Sequence, residues 1–265
     1  MGLKILIIGD VVGKPARKCV AKLLPDIRKE FDIDFVIANA ENLAHGFGFT
    51  SQTINELFNA GVDAATSGNH AWAKPEGREI LEQRDARVIR PANYPVGTPG
   101  VGAKIVTIAT KSLLVVNLMG RVFMKENLDC PFRALDEILK SHSSRTLAGI
   151  IVDFHAETTS EKNAFGLYAD GRVSAVVGTH THVPTADEHV LPGGTAYITD
   201  IGMVGLQNSV IGFDSGPLQG FLTQLHQHFE ISDSGRVVFN SVLIDIDTAS
   251  QKAVSITRIR RETDV

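Results

Sequence analysis

Cysteine is scarce in this chain: Cys19 and Cys130 are the two among 265 residues, and they lack CxxC spacing. So few thiols exclude a disulfide framework, and both read as reduced thiols of a cytoplasmic protein. Long apolar runs are absent as well. No stretch approaches the ~18 residues of a membrane span, so no membrane partner is expected. Ile5 to Ile8, between Lys4 and Asp10, are too few for the core of a secretory signal. Runs of Lys or Arg are missing, and 26 basic against 30 acidic residues leave a net charge of −4. That balance excludes an electrostatic footprint for reading double-stranded DNA. What remains is an ordinary globular composition, 43% apolar and 21% charged, of a length that one large α/β domain can use, and a single domain over 1–265 is expected.

Short apolar runs recur at Lys4–Ile8, Phe35–Ala38, Ala64–Ser67, Ile150–Phe154 and Ser174–Val177, each ending at a loop rich in Gly, Asn, Asp or His. They read as buried strands. Between them, Pro15–Phe31, Thr50–Ala60 with a Thr cap, Pro131–Lys140 and Glu161–Tyr168 have helical periodicity. Alternating strand and helix means α/β. Two stretches break the rhythm: Lys104–Ala109 with Leu113–Leu118, and Val237–Ile246 with Val254–Ile259, read as antiparallel hairpins. These point to a second, mixed sheet, and so to a four-layer α-β-β-α sandwich of two mixed β-sheets flanked by helices.

The loops after the strands carry the chemistry: Gly9-Asp10, Asn39-Ala40-Glu41-Asn42, Gly68-Asn69-His70, Asp153-Phe154-His155 and Gly178-Thr179-His180-Thr181-His182. Ligand sites in open α/β sheets lie beyond the carboxyl ends of strands, so loops far apart in sequence can converge there. Taken singly, Asp10 is equally a helix cap, and Glu41 and Asn42 can stabilise a Gly-rich loop. An extended His180-Thr181-His182 puts both imidazoles on one face. Together Asp10, Glu41, Asn42, Asn69, His155, His180 and His182 form an oxygen and nitrogen set without thiolate, suited to Mn, Fe or Zn. Seven donors exceed one ion's needs; two ions about 3.5 Å apart, sharing a carboxylate, would use them all and clamp a phosphoryl group. His142, His189, His226 and His228 read as surface histidines, the last two on a helix but not on one face. His45, close after Asn42, is a secondary candidate for substrate contact.

These motifs resemble the calcineurin-like metallophosphoesterases, in which an Asp, a bridging carboxylate, Gly-Asn-His, a lone His and a His-x-His pair follow successive strands. Two departures, Val11-Val12 where a His usually follows the first Asp and Glu41 in place of a bridging Asp, are features of a narrower group, the YmdB-type bacterial phosphodiesterases. The match extends through Ile8 to Gly13, Asn39 to Asn42, Arg90-Pro91-Ala92-Asn93, Asp153 to Glu157 and Val177 to Val183. The resemblance implies two metal ions per chain, iron first, with manganese or zinc as alternatives. Asp10, Glu41, Asn42 and His182 would hold one ion, and Glu41, Asn69, His155 and His180 the other. It further implies attack by a metal-bridging hydroxide on a phosphodiester, including 2′,3′-cyclic nucleotides, with His70 free to protonate the leaving oxygen. A homo-oligomer is expected. The rival readings are a phosphomonoesterase or nuclease of the same superfamily, and a regulatory scaffold that keeps the metal fold.

Overall fold

The computed structural model describes residues 2–214 and 216–265, the side chain of Ile108 excepted. In chain order the elements are β1 (Gly2–Val11), α1 (Gly13–Phe31), β2 (Phe35–Asn39), α2 (Ser51–Asn59), β3 (Ala64–Thr66), α3 (Pro75–Glu82), β4 (Ala103–Ile108) and β5 (Lys111–Met119). There follow α4 (Pro131–His142), β6 (Gly149–His155), α5 (Thr159–Ala169), β7 (Ala175–Thr179), β8 (His189–Val190), β9 (Ala196–Ile198), β10 (Met203–Leu206), α6 (Pro217–Thr223), β11 (Arg236–Asp247) and β12 (Lys252–Asp264).

Two six-stranded sheets form, ordered β12-β11-β10-β1-β2-β3 and β4-β5-β6-β7-β9-β8. In the first, β1 runs parallel to β2 and β10 and antiparallel to β11. In the second, β5, β6, β7 and β9 run parallel, with β4 and β8 antiparallel at the edges. Alternate residues of a strand point to opposite faces, and here both faces are apolar. Leu3, Ile5 and Ile7 of β1 join Ile37, Val115, Ile151, Val177 and Ile244 in the core between the sheets. Leu6 and Ile8 turn outward to Cys19, Val20 and Leu24 of α1. On the far side Val152 and Phe154 of β6 pack with Leu135 of α4 and Phe165 of α5. The result is the four-layer α-β-β-α sandwich.

Both expected hairpins are present, β4–β5 and β11–β12. They do not share a sheet: β11 pairs with β1 across seven registers, so the C-terminal hairpin completes the first sheet. The Thr50 cap forms a reciprocal capping box with Thr53. Helix α6 ends at Thr223, where Gln224 turns left-handed at φ 58°. His226 and His228 therefore lie beyond it in irregular chain, both exposed. Among the described residues no helix is long and apolar enough to cross a membrane.

Candidate metal centre

The carboxyl ends of β1, β2, β3, β6 and β7 meet at one edge of the two sheets, and each delivers a polar side chain. Asp10 stands one residue before the end of β1 and His155 closes β6, both fully buried. Glu41 and Asn42 follow β2, Asn69 and His70 follow β3, and His180 and His182 follow β7.

His155 is the hub of one cluster. Its Nε2 lies 3.0 Å from Asn69 Oδ1, 3.2 Å from Glu41 Oε1 and 3.0 Å from His180 Nδ1. The donor atoms of Glu41, His155 and His180 all fall within 4.8 Å of one another, a group able to hold a metal ion. Asp10 and His182 make the adjoining group, with His182 Nε2 3.9 Å from Asp10 Oδ1. That oxygen is buried without a hydrogen-bond partner, and so is Asn42 Oδ1, whose amide nitrogen donates to the Gly46 carbonyl at 2.8 Å. Unpartnered buried oxygens are costly, and a cation is the partner such oxygens accept. Gly68 leaves room for this cluster: a Cβ there would sit 2.3 Å from both Glu41 Oε2 and His155 Nε2.

Hydrogen bonds behind the three histidines fix which nitrogen faces inward. Thr179 Oγ1 donates to Asp153 Oδ1 at 2.7 Å and so accepts from His155 Nδ1 at 2.9 Å. His182 Nδ1 donates to the Ile211 carbonyl at 2.8 Å, and His180 Nε2 lies 3.0 Å from Glu157 Oε2. Each ring thereby spends one N–H outward and turns its other nitrogen to the centre, the arrangement of a metal-ligating histidine. His155 Nε2 and His180 Nδ1 face each other at 3.0 Å, which two lone pairs tolerate only with a cation or a proton between them. The residues fit a metal.

Without metal the proton takes that place. Burial opposes charge on His155, but Glu41, Asp10 and Asp153 together push its pKa up to about 9. Burial likewise opposes charge on Glu41, yet His155 and the His70 backbone N–H hold its pKa down to about 2. Burial raises Asp10 to about 6 against the pull of His182 and His155. Burial and the neighbouring His155 lower His180 to about 3.

His70 stands beside the cluster. Its backbone N–H donates to Glu41 Oε2 at 3.0 Å, and its ring meets Asn69 Nδ2 at 3.3 Å and the edge of Phe47 at a centroid distance of 5.0 Å. Burial lowers its pKa, Glu41 opposing.

The backbone corrects one expectation: His180 and His182 are not on an extended segment but have φ of 100° and 66°. The loop is held in this unfavourable shape by a buried ion pair, Lys162 Nζ to Asp200 Oδ2 at 2.6 Å. Lys162 also donates to the Thr179 carbonyl at 2.8 Å, and Asp200 Oδ2 accepts from the N–H and hydroxyl of Thr181. His45 lies exposed at a left-handed turn. Asp153, Glu157 and Thr179 stand inside the sequence motifs without a role of their own there, and Lys162 and Asp200 stand outside them. For Asp153 the sequence signals are its charge inside the apolar run Ile150–Phe154 and its place in the motif that ends at His155.

Stacked mixed sheets with this donor set at their strand ends define a fold of the metallophosphoesterase class. A crystal structure of a putative 5′-nucleotidase from Staphylococcus aureus shares that fold at 16% identity, with a TM-score of 0.64 over 98% of this chain and 54% of its own. A sequence profile of the YmdB-like proteins matches residues 6–259, and the chain belongs to that family. It is 46% identical over 258 residues to a 2′,3′-cyclic-nucleotide 2′-phosphodiesterase of Bacillus subtilis (strain 168), covering 97% of this chain and 96% of the relative. Two crystal structures superpose with TM-scores of 0.91. One, of a hypothetical protein from Thermus thermophilus, has 43% identity and covers 98% of this chain and 99% of its own. The other, described as a novel phosphatase of Mycoplasma pneumoniae, has 34% identity and covers 100% and 95%.

Proposed function

We propose that the chain is a metal-dependent phosphodiesterase acting on small phosphodiesters, 2′,3′-cyclic nucleotides among them. The observation that carries this reading is the convergence of Glu41, Asn69, His155 and His180 on one point, with the unpartnered Asp10 Oδ1 beside it and His182 Nε2 3.9 Å from that oxygen. Asp10, Glu41, Asn42 and His182 would hold one ion, and Glu41, Asn69, His155 and His180 a second, Glu41 serving both. Bound ions polarise the phosphoryl oxygens and make water a competent nucleophile near neutral pH.

The chain's own side chains supply the rest. The Asp153 and Thr179 relay orients His155, Glu157 orients His180, and the Ile211 carbonyl orients His182. His70, outside the donor set, protonates the leaving oxygen. Burial lowers the pKa of its ring, with Glu41 opposing; the anionic diester arriving beside it favours the charged imidazolium that a general acid needs. The test is a substrate panel on metal-loaded protein: 2′,3′-cyclic AMP, 3′,5′-cyclic AMP and p-nitrophenyl phosphate. Hydrolysis of a cyclic diester above the monoester is expected. Preference for the monoester would make the protein a phosphomonoesterase, and inertness toward all three would favour a scaffold.

A further inference from the structure

Next to the metal centre lies an apolar groove of about 620 Å³, within the ~300–1,000 Å³ range of small-molecule sites. Phe213, Phe221 and Phe229 give it aromatic walls, and Gln224, His226 and Gln227 give it a polar edge; among the described residues no Lys, Arg, Asp or Glu lines it. Phe221 is 72% exposed and Phe229 48%, although large aromatic side chains ordinarily hide from water. A contiguous exposed apolar surface of this kind marks a place where something binds.

Two contacts tie the walls of the groove to the centre. Ile211, one of its lining residues, accepts the hydrogen bond that orients His182. Phe213 stacks on Phe47 at 5.5 Å and 27°, and Phe47 meets the His70 ring edge-on at 5.0 Å. Phe213 in turn packs against Phe229 at 5.2 Å. This aromatic track from His70 into the groove depends on Gly46: at φ 86° its missing Cβ would lie 2.7 Å from the Phe213 ring.

We infer that this groove is the subsite for the nucleobase of the substrate, an inference that rests on the phosphodiesterase reading above. A base has two π faces and an edge of donors and acceptors. The groove offers phenyl rings to stack on and carboxamides that both donate and accept. The division of charge agrees: the anionic phosphoryl group belongs at the cationic centre, while the neutral planar part belongs where no charged side chain stands. Since the track begins at His70, the base lies on the side of the leaving oxygen.

The test compares wild type with Phe221→Ala and Phe229→Ala, both at exposed positions, all metal-loaded, on 2′,3′-cyclic AMP and on ethylene phosphate, the same five-membered cyclic diester without sugar or base. Calorimetric binding of 3′-AMP and of inorganic phosphate gives a readout apart from turnover. The ratio of kcat/KM between the two substrates should fall tenfold or more in each variant, mainly through KM, and 3′-AMP should weaken relative to phosphate by a similar factor. An unchanged ratio, or an equal loss on both substrates, would overturn the inference alone. So would a shift in sedimentation with the ratio intact, which would give the groove to a second copy of the chain. A wild type that hydrolyses neither diester would overturn the phosphodiesterase function itself and the inference with it.

Discussion

At the level of single residues, the centre divides donors that face inward from groups that hold them. The inward set was legible from sequence because its members end successive apolar runs, as in Gly68-Asn69-His70 and His180-Thr181-His182. The holding set was not: Thr179 looks like any strand-end threonine until Asp153 and His155 are brought to it by β6 and β7. Thr179→Val removes the hydroxyl at nearly constant volume, strands His155 Nδ1, and should weaken metal binding roughly 10–100-fold, measured by competition with a chelating dye. His70→Ala should instead keep the metal content and lose roughly 10²–10⁴-fold in turnover. The loss should be largest for alkoxide leaving groups and smallest for p-nitrophenolate. Loss of metal, or an equal loss across leaving groups, would make His70 a ligand or a phosphate-positioning group.

Among the elements, the strands were readable and the loop that matters most was not. Apolar runs of four or five residues located β1, β2, β6 and β7, whereas nothing in His180-Thr181-His182 announces its left-handed backbone. That shape comes from tertiary contacts: Lys162 of α5 and Asp200 after β9 meet in the interior and clamp the loop through Thr179 and Thr181. Both side chains are about 1% exposed, so Lys162→Met leaves a buried carboxylate without its cation. A cost of about 3–5 kcal/mol is expected in denaturant unfolding, partly recovered by adding Asp200→Asn. If the single variant is as stable as wild type, the ion pair does not shape the loop. The hairpins show the same limit, since their local pairing was visible but their division between two sheets depends on β11 joining β1.

At the scale of the whole molecule, stability is expected to depend on metal and on pH. In metal-free protein His155 has a pKa raised to about 9, so the folded state holds a proton that the unfolded chain, with a reference near 6.5, gives up. The stabilisation is fully present below about pH 6.5 and is lost as pH rises toward 9. Glu41, held down to about 2, contributes stability above its unfolded value near 4.3 that is lost as pH falls toward 2. Thermal unfolding of chelated protein should therefore show a falling midpoint from pH 6.5 to 9. Metal-loaded protein should show a flatter profile and a higher midpoint, because a cation takes the proton's place. The most direct test of the central claim is a titration of chelated protein with Mn²⁺ or Fe²⁺, counting bound ions per chain while following hydrolysis of 2′,3′-cyclic AMP. The account predicts two ions per chain and activity that appears as the second binds. Full activity without metal, or a protein carrying two ions yet inert toward phosphodiesters, would contradict it.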